Sequence, residues 1–136
     1  MPWLRGRAES DENRDVRQAA LQELARGWAA DPATLDILKS CAESDLNWEV
    51  RRAAVEELAR GWASDPDVEF WLKGRAQSDN NNDVRRVVVE ELARGRAGDP
   101  QIVRWLQSLA ESDESERVRY AARRTLKEYI SGASKF

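Results

Sequence analysis

The sequence predicts an all-α fold, about eight helices stacked as four similar units in one solenoid domain. Three observations carry that expectation. Val16-Arg17 returns as Val50-Arg51, Val84-Arg85 and Val118-Arg119 in steps of 34 residues, and self-similarity at such a period marks a stacked-repeat architecture. Each unit holds two stretches with apolar residues at three- and four-residue spacing, and neither strand-like alternation nor a Gly-rich phosphate loop occurs anywhere. Helix punctuation, Asp-Pro before the first stretch and Asn or Ser before the second, recurs at matching positions. The units cover about 1–30, 31–64, 65–98 and 99–136.

First helices start at Asp31-Pro32, Asp65-Pro66 and Asp99-Pro100. The aspartate accepts hydrogen bonds from the orphan first-turn amides, and proline, with φ preset and no N–H to satisfy, suits the first helical position. Leu35, Leu38 and Ala42, like Ile102, Leu106 and Ala110, then form one apolar face. A small residue in mid-helix, Gly6, Ser40, Gly74 or Ser108, reads as a point of close approach for a neighbouring helix. The second unit's first helix ends near Ser44-Asp45.

Second helices are capped by Asn13, Asn47, Asn81 and Ser115, and Asp15, Glu49 and Asp83 complement the positive helix end in the first turn. They stop at Gly27, Gly61 and Gly95, the expected left-handed position after a helix, with Trp28 and Trp62 folding back over the helix end. At about 100° per residue, Val16, Ala19, Ala20, Leu21, Leu24 and Ala25 span a wide apolar arc. Such width calls for neighbours on both sides, which stacking supplies.

A chain of 136 residues, 41% hydrophobic and 35% charged, has the composition of a folded domain. Its net charge of −3 argues against a generic polyanion-binding surface and leaves only a local basic patch open. With no long apolar run and no signal peptide, the expectation is a soluble, cytoplasmic protein. The single Cys41, equivalent to Arg7, Arg75 and Leu109, reads as a tolerated helix residue. Histidine is absent and no serine, cysteine or lysine falls in a nucleophile motif, so no catalytic residue, metal site or cofactor is expected. Acidic pairs such as Glu56-Glu57 recur with the repeat and read as solvated helix surface.

The order of a helix, Asp-x4-Val-Arg and a second helix with Ala-Ala and Leu resembles HEAT repeats over the full chain. It is written at Asp11 to Arg17, Asp45 to Arg51, Asp79 to Arg85 and Asp113 to Arg119. The Gly-Trp-Ala-x-Asp-Pro junctions at 27–32 and 61–66 are similar to HEAT arrays at the C-terminus of bacterial NACHT-type signalling NTPases, although Arg96 replaces the tryptophan in the third junction and no NTPase segment is present. The resemblance implies a right-handed α-solenoid that acts as a binding scaffold, with first helices on the convex side and second helices lining the concave one. It also implies that Asp11, Arg17, Asp45, Arg51, Asp79, Arg85, Asp113 and Arg119 form an inter-repeat ladder. Helical angle agrees, since these arginines point into the apolar arc, where an unpaired charge is costly.

In the last unit Arg123 replaces Leu21, Val55 and Val89, and Lys127 replaces Ala25, Ala59 and Ala93. Four residues apart, the two share a face and suit it to solvent, so this unit reads as a C-terminal cap. Tyr129 replaces the stop glycine and lets the helix run on towards Ile130. Pro2 aligns with Asp36, Phe70 and Arg104 in mid-helix, so the first repeat reads as truncated and the chain as the C-terminal piece of a longer array. A designed or recombined array is the other reading, given EELARG at both 56–61 and 90–95. The uncapped first face leaves self-association open.

Candidate recognition residues lie on the polar stripe of the second helices: Glu49, Arg52, Glu56 and Arg60, then Arg86, Glu90 and Arg94. Their alternating signs either satisfy one another along the helix or form a recognition surface. Arg117, Tyr120 and Arg124 make a basic-aromatic cluster suited to an acidic partner or a phosphate backbone. Trp48, equivalent to Arg14, Asn82 and Glu116, is an aromatic that the repeat does not require, and reads as a partner anchor or as cover for a neighbouring turn. Phe70 departs from its equivalents in the same way. The expected function is a non-catalytic protein–protein interaction scaffold, the recognition part of a larger bacterial signalling protein. Nucleic-acid binding through the fourth unit is the second expectation.

Overall fold

The computed structural model describes residues 2–94, 96 and 99–133, and among these every regular element is a helix. In order they are α1 (Pro2–Ser10), α2 (Arg14–Gly27), α3 (Pro32–Ser44), α4 (Trp48–Gly61), α5 (Pro66–Ser78), α6 (Asn82–Ala93), α7 (Pro100–Ser112) and α8 (Glu116–Ala133). The starts follow the chemistry of their caps. Asp31, Asp65 and Asp99 accept from the amides of Ala33, Asp67 and Gln101, each with proline next in sequence. Asn13, Asn47 and Asn81 accept from Asp15, Glu49 and Asp83 in extended backbone conformation.

The helix ends differ from expectation. Gly27 and Gly61 are the last helical residues and neither has the left-handed φ expected of it, while Gly95 lies outside the described residues. The capping contact comes from the tryptophan backbone instead: Trp28 N–H donates to Leu24 O and Trp62 N–H to Leu58 O. Trp28's carbonyl then accepts the buried Thr34 hydroxyl at 2.7 Å, fixing the α2–α3 turn. The mid-helix small residues are not points of close approach, because Gly6 and Gly74 are exposed and a Cβ at either would meet nothing within 4 Å.

The chain packs as two compact units, Met1–Leu72 and Lys73–Phe136. In the first, α1 pairs with α2 and α3 with α4, while α1 lies beside α3 and α2 beside α4. Its core holds Leu21, Leu24, Ile37, Leu38, Val50, Val55 and Leu58, all fully buried. In the second, α7 pairs with α8 and α6 lies beside α8, around Leu92, Ile102, Leu106 and Val118. Burying each Leu or Ile is worth about 1.5–3 kcal/mol, so the repeated apolar positions hold each unit together.

The apolar arc is fully buried on α4, at Val50, Ala53, Ala54, Val55, Leu58 and Ala59, and on α6 at the six equivalent positions. On α2 it is only half covered. Ala20, Leu21, Leu24 and Ala25 are buried, but Val16 is 38% exposed and Ala19 is also open to solvent. In α8, Arg123 and Lys127 are exposed, and the helix continues through Tyr129 and Ile130 to Ala133.

Candidate binding face of the second helices

The turn between the two helices of each repeat is built around one aspartate and one arginine. Asp11, Asp45, Asp79 and Asp113 accept with Oδ1 from the amide two residues on, at 2.8–2.9 Å. The arginine six residues on returns to the same turn: Arg17, Arg51, Arg85 and Arg119 donate Nη1 to the carbonyls of Asp11, Asp45, Asp79 and Asp113. Arg17 and Arg85 also bridge to the aspartate of the following repeat. Arg17 meets Asp45 through two bonds of 2.9 and 3.1 Å, and Arg85 lies 3.6 Å from Asp113 while donating to Asn82 at 2.7 Å. The hydrogen bonds to Asp45 hold the Arg17 guanidinium above its ordinary pKa. Asp11 is held below the usual carboxylate range, first by the Asn13 amide and then by Arg7.

On α4 the candidate residues form a continuous row. The Arg52 guanidinium lies 5.6 Å over the Trp48 ring, Arg52 is 3.3 Å from Glu56, and Glu56 is 3.6 Å from Arg60. Glu49 is drawn away to Arg14 of α2, at 3.2 Å. On α6, Arg86 bridges Asp83 at 3.7 Å and Glu90 at 2.8 Å, while Arg94 turns back to Glu91 at 3.4 Å. In the fourth unit Arg117 reaches Asp83 at 3.1 Å and Arg124 reaches Glu128 at 3.2 Å, and Tyr120 is 64% exposed.

One expectation is corrected here. Glu56 and Glu57 are not both solvated surface: Glu57 is buried and accepts from Arg26 of α2 at 2.9 Å, and Glu91 is likewise buried. The fourth unit carries Thr125 at this position, its hydroxyl bonded to the Ala121 carbonyl at 2.8 Å. Between α6 and α8 a groove of about 390 Å³ opens, lined by Glu90, Arg94, Arg124, Thr125, Glu128 and Tyr129. Tyr129 donates its hydroxyl to the Ala93 carbonyl, and partial burial raises its pKa.

Sequence reasoning missed three further features. Leu46, in the turn before Trp48, is 98% exposed where the other units carry Glu12, Asn80 and Glu114. On the first helices, Lys39 lies 5.8 Å over Trp71 and Lys73 5.9 Å over Trp105, a cation–π contact repeated at one register. A second groove, of about 380 Å³, lies on the open side of α1 and α2 between Trp3, Leu4, Val16 and Ala19. Phe70 is 81% exposed. Cys41 is buried, donating to the Ala8 carbonyl at 3.7 Å, and burial pushes its thiol up to about 12.

Among the described residues no helix is long and apolar enough to cross a membrane, and no cluster of metal-ligating side chains occurs. Helix pairs at a 34-residue interval, each turned by the same Asp–Arg clamp, define an all-α helix-pair repeat protein. The model of the HEAT repeats matches residues 1–93 and 68–135, and the chain belongs to that family. No curated protein and no solved structure matches it.

Proposed function

We propose that the chain is a non-catalytic interaction scaffold that binds a protein partner through the face of its second helices. The row Trp48–Arg52–Glu56–Arg60 carries this reading. It is a linked, partly exposed surface whose aromatic member the repeat does not need, and aromatic and arginine anchors dominate many interfaces. The similarity of the Gly-Trp-Ala-x-Asp-Pro junctions supports a place beside a bacterial NACHT-type signalling NTPase, in the cytoplasm. Association of two copies across the Trp3–Val16 groove belongs to the same reading, and sedimentation of wild type against Val16→Glu tests it.

To test the main proposal, peptides are selected from a displayed random library on the immobilised full chain. Their affinity is then measured for wild type, Trp48→Ala and Arg52→Glu. The expected result is a loss of about tenfold or more in each variant with helical content unchanged, equivalent to about 1.4 kcal/mol. Unaltered affinity removes the α4 row from the proposal.

Exposed Tyr120 between two arginines favours a second reading, nucleic-acid binding through the fourth unit. Anisotropy titrations with DNA and RNA at low and high salt separate the two, because phosphate contacts make affinity fall steeply with salt. No binding at low salt eliminates it.

A further inference from the structure

Two seams between neighbouring second helices share one register, α2 against α4 and α6 against α8. In the first, Arg26 at the end of α2 meets Glu57 of α4 at 2.9 Å, and that carboxylate side chain is only 10% exposed. In the second, the equivalent residues are Arg94 and Thr125. The threonine is too short to answer the arginine and bonds within its own helix, so Arg94 turns back to Glu91. Where a carboxylate would sit, the groove of about 390 Å³ stands open. Arg124, exposed and paired within its helix with Glu128 at 3.2 Å, adds a second guanidinium to its lining, at the position where α4 carries Glu56. Tyr129 occupies the Ala93 carbonyl, one of the free acceptors at the end of α6 that would repel an anion.

We propose that this groove receives an acidic side chain of a bound peptide segment, seated between Arg94 and Arg124 in the place that Glu57 fills in the other seam. The proposal rests on the second-helix reading above and adds the chemistry of the partner. A lone carboxylate suits the groove better than a phosphate backbone. The filled seam holds a single carboxylate, and Glu90 and Glu128 repel a continuous run of negative charge while attracting basic residues on either side of it.

The test uses heteronuclear NMR on the full chain, following the side-chain Nε–Hε signals of Arg94 and Arg124. A capped lysyl-glutamyl-lysine peptide, its glutamine counterpart and a single-stranded oligonucleotide are titrated in turn. The glutamate peptide is expected to give saturable shifts at both arginines, and the glutamine peptide to bind about tenfold more weakly or worse. Thr125→Glu, which fills the seat from within, and Arg94→Ala should each abolish the response, while Arg26→Ala leaves it intact. No response to the glutamate peptide, an equal response to both peptides, or an unchanged response in Thr125→Glu overturns the proposal. So does an oligonucleotide that shifts the same signals at lower concentration than the peptide. If selected peptides still depend on Trp48 and Arg52 while Arg94 stays silent, the carboxylate seat falls and the second-helix reading stands. If neither responds, both fall.

Discussion

The α2–α4 seam of the first unit and the α6–α8 seam of the second are built on the same apolar layer but finished with different polar edges. In the first, Arg14–Glu49, Arg17–Asp45 and Arg26–Glu57 tie the second helix of one repeat to the next repeat at three levels. In the second, Arg117–Asp83 takes the place of the first tie with its charges reversed, the longer Arg85–Asp113 remains, and the third tie is replaced by Thr125, Tyr129 and an open groove. Three substitutions on α8, Thr125 for Glu57, Arg124 for Glu56 and Tyr129 for Gly61, thus separate a closed seam from a candidate binding site above a core that is buried in both.

Four measurements break or sharpen that comparison. The largest effect concerns the closure of the first unit: with its thiol raised to about 12, Cys41 has roughly a thousandfold less thiolate at pH 8 than a cysteine at 9.0, and should react slowly with Ellman's reagent. Since the raised value favours the protonated form, this protection is full below pH 9 and fades as pH climbs towards 12. Labelling at the rate of a free cysteine would mean that α1 and α3 open readily. Next, Leu24→Ala and Leu92→Ala should each cost about 2–5 kcal/mol in urea unfolding, because both residues are fully buried. A much smaller cost at Leu92 would show that the seams differ in the core as well as at the edge.

Asp45→Asn should cost about 1–3 kcal/mol, because the half-buried Arg17 loses a two-bond carboxylate partner while the asparagine still caps the Asn47 amide. Asp113→Asn should cost less, since Arg85 lies farther from Asp113 and also donates to Asn82. Equal costs would remove the difference between the two ladder steps. Smallest is the exchange at the third level: Glu57→Thr should lower stability and Thr125→Glu raise it, each by about 1 kcal/mol or less, because Arg26 and Arg94 are mostly exposed. Changes of the same sign would mean that residue 125 does not face Arg94 as residue 57 faces Arg26.

The repeated part of this protein was legible in sequence because it rests on local rules. Cap residues, the Asp-Pro starts and the spacing of Leu and Ala act within one helix or one turn, and they place the eight described helices and most of the core. Two local inferences failed, at the stop glycines and at Gly6 and Gly74, where composition suggested a backbone need that the helices do not have. The polar edges were harder. Helical periodicity sets Glu56 and Glu57 side by side and cannot say that only Glu57 faces the neighbouring helix, because that depends on which residue of α2 lies across the seam. The substitution of Thr125 was visible in the aligned units, but its meaning required knowing that Arg26 and Glu57 are partners. Exposed Leu46 gave no pattern at all, as it stands alone in a turn.

Arg17, Arg26, Lys39, Lys73 and Arg85 all reach forward, each to a residue of the following repeat. Recombination that adds or removes a whole repeat keeps these residues in register with the next repeat, whereas an insertion of any other length inside a repeat carries the partner out of reach. The stretches encoding Glu56–Gly61 and Glu90–Gly95 spell the same six residues, an apt place for unequal crossing-over between units. In evolutionary terms, the length of the array is the property most open to change, and its register the least.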